Sequence, residues 1–259
     1  MEIICYSCGR GENPENTIVG IEHCQTVNPN WRIEMDIQIT RDEKLVLFHD
    51  YRTKRITGED KQINDLSLKE VKQLNAGYHF KANDQYIYRS NPIQIPELET
   101  VFKIFPDTQL VLDIHTDNLL ATTKLIALIE KYSSADKIII VSQYDRIIKA
   151  LKAKKPHWKY GAPTNEAKNM IYSSFLYLDS FFPIKSNILL LPQMAGKIKV
   201  LTKRVVNHAK KRNKLLWTWV HEGEAVKNVD SKTELLQMKE IGADGVFTDH
   251  PKKLLSEIQ

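Results

Sequence analysis

The sequence predicts an α/β fold: a TIM-type (β/α)8 barrel with one antiparallel hairpin and an insertion over one rim. Three observations predict it. Short apolar runs alternate with longer amphipathic stretches, which is the rhythm of parallel βα units. The length, 259 residues, is near that of one such barrel and buries a large core without cross-links. One strand-to-strand connection is too short for a parallel crossover.

Taken in order, strands are expected at 3–8, 32–40, 45–49, 109–115, 137–142, 158–162, 187–191, 215–221 and 245–248. Helices are expected at 15–26, 67–74, 96–104, 118–132, 145–154, 201–211 and 232–241. Pro96 suits the first turn of its helix, where its missing N–H does no harm. Between Thr40 and Leu45 only Arg41, Asp42, Glu43 and Lys44 intervene, so the flanking strands must form a hairpin. With the turn centred between Asp42 and Glu43, Asp36 faces His49, and alternation puts Glu34 on the same side as Asp36. Residues 51–95 break the rhythm. They are polar and turn-rich, carry Tyr78, His79, Tyr86 and Tyr88, and read as an insertion over one mouth of a single domain spanning 1–259.

The apolar and charged fractions, 42% and 27%, are those of an ordinary soluble protein. A net charge of +5 mildly favours anionic ligands. Without a basic stripe interleaved with aromatics it does not indicate nucleic acid, and the basic run from Lys203 to Lys214 reads as the solvated face and tail of a helix. Three cysteines, Cys5, Cys8 and Cys24, with no framework spacing, argue against a disulfide scaffold and for a reducing compartment. No apolar run approaches the roughly 18 residues that span a bilayer, so no stable membrane insertion is expected. Met1 leads straight into a strand without a basic leader, and the expected location is the cytoplasm.

Acids on inward strand faces carry the strongest chemistry. Glu34 and Asp36, in Glu-Met-Asp, repel each other if both are ionised without a cation, and a hard ion such as Mg²⁺ or Ca²⁺ resolves this with oxygen ligands. Asp113, at the end of an apolar strand, is the candidate third ligand, and His115 points the same way two residues on. The bland alternative is a salt-bridged, hydrogen-bonded cluster. His49, followed by Asp50, ends its strand and makes a candidate acid or base. His23, His157, His208 and His250 read as helix-surface or loop positions. Trp217 and Trp219 share a strand face and either wall a pocket or fill the barrel centre.

These pieces, in order along nearly the whole chain, resemble the glycerophosphodiester phosphodiesterases. Pro14-Glu15-Asn16-Thr17 is similar to the family's Pro-Glu-Asn-Thr. Glu34-Met35-Asp36, Thr40-Arg41-Asp42, His49-Asp50 and Arg55-Ile56-Thr57-Gly58 resemble its metal-and-histidine block. Ile95-Pro96-Glu97-Leu98, Trp217-Thr218 and the stretch from Gly242 to Pro251 resemble its later motifs.

The resemblance implies hydrolysis of a glycerophosphodiester to glycerol 3-phosphate and an alcohol. It implies a divalent cation on Glu34, Asp36 and Asp113, with His49 as one of two catalytic histidines. Asp113 stands where the family usually has Glu, and His115 where it usually has Lys near the phosphate. The family's first histidine has no counterpart, since no histidine precedes His23. Depending on the alignment its slot holds Tyr6, Cys8 or Gly9. Cys8 is the favoured occupant, with Arg10 as the phosphate contact. Arg10, His115 and Trp219 are thus the substrate-side candidates. Two other functions stay open at this level: a pseudo-enzyme that binds a glycerophosphodiester or a partner without turnover, and a phospholipase D-like enzyme acting on lysophospholipids.

Overall fold

The computed structural model describes residues 1–178, 183–222 and 225–259, side chains of 220–222 and 225–227 excepted. Eight parallel strands form the barrel: β1 (Glu2–Cys5), β2 (Arg32–Ile39), β4 (Leu110–Ile114), β5 (Ile138–Val141), β6 (Lys159–Tyr160), β7 (Ile188–Pro192), β8 (Leu215–Glu222) and β9 (Gly245–Thr248), with β3 described below. The last returns to pair with the first, Glu2 beside Gly245. Between β6 and β7 the sheet closes through a bridge from Gly161 to Ile188. All the expected strands form, each within a few residues of its expected bounds.

Alternation along each strand sorts its side chains. Ile33, Met35 and Ile37 of β2 and Leu110, Leu112 and Ile114 of β4 face outward into one large core under the helices. Inward go Ile4, Val111, Ile139, Val141, Ile188, Trp217 and Phe247, which fill the barrel centre. Trp217 is fully buried there, and Trp219 packs above it, edge-on to Phe247. Trp217 thus takes one of the alternatives left open by the sequence, filling the barrel centre. His221, on the same strand, lies outside the described side chains.

The short connection is a hairpin, β2 with β3 (Leu45–Leu47), but its register differs by one from the expected one. Ile37 faces Leu47 and Ile39 faces Leu45. Phe48 N–H donates to the Asp36 carbonyl, so Phe48, not His49, lies across from Asp36. The reason is Glu43, whose left-handed φ of 63° makes the loop three residues long and centres it on Asp42.

The helices α1 (Ile18–Val27), α4 (Leu98–Ile104), α5 (Leu119–Lys131), α6 (Asp145–Lys154), α8 (Lys203–Lys211) and α9 (Lys232–Ile241) agree with expectation. Pro96 lies just outside α4, whose N-cap is Glu97, and its carbonyl accepts from Leu47 N–H. Two helices of more than one turn were not anticipated. α7 (Thr164–Phe175) buries Met170 with the small Ser173 and Ser174, an inner face too polar to read. α10 (Pro251–Ile258) is short and starts on a proline. The segment 51–95 carries two one-turn helices, α2 (Lys54–Thr57) and α3 (Leu68–Val71). It has a small core of its own, in which Ile63, Val71, Leu74, Ala76 and Ile95 pack on Val46 and Phe48. His208, expected at the surface, is buried and bonded to Ser174 and Arg212.

Candidate active site

The site lies at the mouth where the barrel strands end. Glu34 and Asp36 are buried inward on β2, and parallel register sets Asp36 directly beside Asp113 on β4. One carboxylate oxygen from each of the three lies within 4.8 Å of the others. Neighbouring like charges on a sheet destabilise it unless something positive lies between them. Burial and the charges of Asp36 and Asp113 push the Glu34 carboxyl well above the ordinary carboxylate range. Asp36 goes the other way: its burial is outweighed by His115.

His115 lies over the acids, its Nε2 3.1 Å from Asp36 and 3.3 Å from Asp113. Although burial favours the neutral ring, the two carboxylates push His115 up to about 11. The His49 ring stacks on it at 4.3 Å. The one-residue change of register therefore leaves His49 in the site, because it follows the last strand residue and turns back over the mouth. Its Nδ1 is held by Asp50 at 2.7 Å, which leaves Nε2 to face the site. The hydrogen bond to Asp50 raises the His49 imidazole above its ordinary value.

The turn after β1 sends the side chains of Tyr6 and Cys8 in different directions. Ser7, Cys8 and Gly9 are all left-handed, at φ 42°, 63° and 73°. This kink sends the Ser7 N–H to Glu34 Oε2 at 2.6 Å and the Ser7 hydroxyl to Asp36. It carries Cys8 away from the mouth. Cys8 is fully buried in the outer core, its thiol donating to the Glu34 carbonyl. Tyr6 is the side chain delivered to the mouth, edge-on to Phe247 with the Arg10 guanidinium 4.6 Å above its ring. Burial, then the charges of Glu34 and Asp36, raise the Tyr6 phenol, so it stands as a neutral donor. Arg10 pairs with Asp249, which also accepts from Asn228.

Sequence reasoning missed the residues that hold these groups. Asn16, left-handed at φ 56°, donates to Asp36 Oδ2 and accepts from the Asp36 N–H. Gln38, the next inward position after Asp36, donates to the carbonyls of His49 and His115 and so ties the two imidazole segments together. Period-two alternation was signal enough for Gln38. Glu15 and Arg55 stood in two of the family-like motifs, but nothing local showed that they meet across 40 positions.

For a divalent cation the donor set fits. It is all carboxylate, and Asp113 Oδ1 is shut off from solvent without a hydrogen-bond partner among the described residues.

A (β/α)8 barrel with three acids and two imidazoles at its carboxyl mouth is an enzyme architecture. The model of the glycerophosphoryl diester phosphodiesterase family matches residues 9–253. A glycerophosphodiester phosphodiesterase of Caldanaerobacter subterraneus is 27% identical over 95% of this chain and 93% of its own. A human lysophospholipase D is 24% identical, covering 97% of this chain and 84% of its own. Among solved structures, an Oleispira antarctica phosphodiesterase in complex with the product sn-glycerol-3-phosphate superposes with a TM-score of 0.78 at 19% identity, covering all of this chain and 96% of its own. The chain belongs to the glycerophosphoryl diester phosphodiesterase family of enzymes.

Proposed function

We propose that this enzyme hydrolyses glycerophosphodiesters to glycerol 3-phosphate and an alcohol, using a divalent cation held by Glu34, Asp36 and Asp113. One observation carries the reading: two buried or half-buried aspartates set side by side in register, with a third acid and two imidazoles around them. Glycerophosphodiester phosphodiesterases that match nearly the whole chain support the substrate class.

A bound Mg²⁺ or Ca²⁺ would neutralise the phosphate oxygens and make an attacking oxygen more acidic. The chain's own groups do the rest. Arg10 faces the diester as a fixed positive charge, with the His115 ring beside it. Trp219, in the top layer of the barrel filling, walls the glycerol side. His49, its Nδ1 held by Asp50, presents Nε2 to the reacting oxygens. It hands a proton to the alkoxide as the P–O bond to the alcohol breaks and the P–O bond from the attacking oxygen forms, that oxygen's own proton passing to solvent water. Tyr6, in the slot of the family's first histidine, donates a hydrogen bond but cannot readily take a proton.

The test is release of glycerol 3-phosphate from glycerophosphocholine with added Mg²⁺, Ca²⁺ or Mn²⁺. Activity is expected to vanish with chelator and to fall about 10²–10⁴-fold in His49→Ala. Turnover undiminished by chelator, or by Glu34→Gln, would remove the cation from the scheme. Likeness to lysophospholipases D over 97% of this chain favours a second substrate, lysophospholipid, assayed in parallel.

A further inference from the structure

One network at the mouth is not used by the mechanism above. Arg55 Nη1 and Nη2 donate to the two carboxylate oxygens of Glu15, both at 2.8 Å. Its Nε and Nη2 donate to Asp50, at 2.6 and 2.9 Å. Asp50 in turn holds His49 Nδ1. Four of the five N–H donors of the guanidinium are thereby spent on two carboxylates, a bidentate geometry on each side that an ammonium cannot reproduce. Glu15 is well buried although Arg55 itself is half exposed.

The far end of the network matters as much. Glu15 precedes Asn16, the residue that grips Asp36 through both its backbone N–H and its carboxylate. Two neighbouring residues of one turn are thus linked to the two halves of the site, Asn16 directly to Asp36 on β2 and Glu15, through Arg55 and Asp50, to the imidazole beyond β3. The separation between cation site and proton donor is then set by a path of short hydrogen bonds rather than by the loop from 48 to 55 alone.

We infer that Glu15 and Arg55 are positioning residues for the proposed reaction. Acting through Asp50, they hold the His49 ring in one orientation, with Nε2 aimed at the leaving oxygen and at a set distance from Asp36. This rests on the phosphodiesterase reading. Neither residue touches the acids or the reacting atoms, so their removal leaves the cation and substrate contacts in place. Without Arg55, Asp50 loses its anchor, and the ring it carries can turn about its own side-chain bonds. A carboxylate left unsupported behind a working imidazole typically costs about 10–100-fold.

The test is a double-mutant cycle on glycerophosphocholine hydrolysis with the ring ¹⁵N signals of His49 as a second readout. Arg55→Met keeps the aliphatic stem, and Glu15→Gln is a milder variant that leaves Arg55 on Asp50. Arg55→Met is expected to lower kcat about 10–100-fold with KM changed less than about twofold. Glu15→Gln should act in the same direction but less, and Arg55→Lys should fall between wild type and Arg55→Met. In a His49→Ala background the Arg55 change should cost nothing further. The His49 ring signal should shift in each variant. An equal loss with and without His49, or an unmoved His49 signal, would make the network a loop clamp and overturn the inference. If the unmodified protein released no glycerol 3-phosphate, the phosphodiesterase reading would fall, and the His49 signal alone would decide the positioning claim.

Discussion

Single side chains decide how this site handles protons. Cys8 and Tyr6 are two residues apart, yet the left-handed turn at Ser7 and Cys8 sends one into the outer core and the other to the mouth. Cys8 has Gly20 against its back, with 3.0 Å between the Cys8 Cβ and a Cβ built on that glycine. An imidazole at position 8 therefore overfills the core. Cys8→His is expected to lose about 1–3 kcal/mol of stability and gain no activity, measured by urea unfolding and turnover. If Tyr6 fills the slot of the family's first histidine, turnover in Tyr6→His is expected to rise at least about tenfold. No gain there, or a gain in Cys8→His, would contradict the assignment of the slot. The His49–Asp50 pair sets a pH window. Burial would raise Asp50, but hydrogen bonds from His49 and Arg55 hold it well below the ordinary carboxylate range. Its contribution to stability is present above the unfolded value of about 4 and lost as pH falls through the native one. His49 is raised, so its contribution is present below about 6.5 and lost as pH rises through its native value. The stability difference between wild type and Asp50→Asn should therefore be largest between about pH 4 and 6.5 and shrink on either side. A difference that is flat from pH 3 to 9 would show that the pair carries no such linkage.

Elements are held in place by side chains from distant parts of the chain. The N-terminus of α10 presents free N–H groups, and its N-cap, His250, offers no side-chain bond. Glu12, from the turn after β1, accepts from the N–H groups of Lys252 and Lys253, both at 3.0 Å, and pairs with His23 of α1. A negative side chain at this end also meets the helix dipole favourably. Glu12→Ala is expected to cost about 1 kcal/mol, or about 2–4 °C in Tm for a domain of this size. An unchanged melting temperature would mean that water caps the helix equally well. The β2–β3 hairpin shows how tolerant the site is of one element's detail. Its register shifted by one because Glu43 went left-handed, yet inward alternation on β2 kept Glu34, Asp36 and Gln38 on the site face.

At the scale of the whole molecule, the order of strands in the sheet is what creates the acid trio. Glu34 and Asp36 are near in sequence, but Asp113 meets them only because β2 and β4 pair in parallel with β3 set aside. A native state that holds mutually repelling carboxylates is stabilised by whatever cation it binds. At a hundred times its dissociation constant, Mg²⁺ or Ca²⁺ should add about 2.7 kcal/mol to folding. The matching rise in Tm should disappear in Asp113→Asn. Equal melting with cation and with chelator would remove this source of stability, whatever the catalytic outcome.

Much of this was legible before folding. Alternating apolar runs are a local property, so nearly all strands and most helices could be placed from the chain alone. Period two assigned Glu34 and Asp36 to one face, and the ordered motifs marked His49, Asp113 and His115. Helix α7 escaped because its inner face is made of small polar side chains. The contacts among Arg55, Glu15, Asp50 and His49 also escaped, although their motifs were visible, because these residues meet through loops whose course depends on every contact around them. What the sequence by itself determined was which residues point inward and which chemistry they carry, since strand geometry repeats every two residues. Only the tertiary structure decided that Tyr6 rather than Cys8 faces the mouth and that one guanidinium braces the imidazole, because left-handed turns and long-range ion pairs leave no period in the chain.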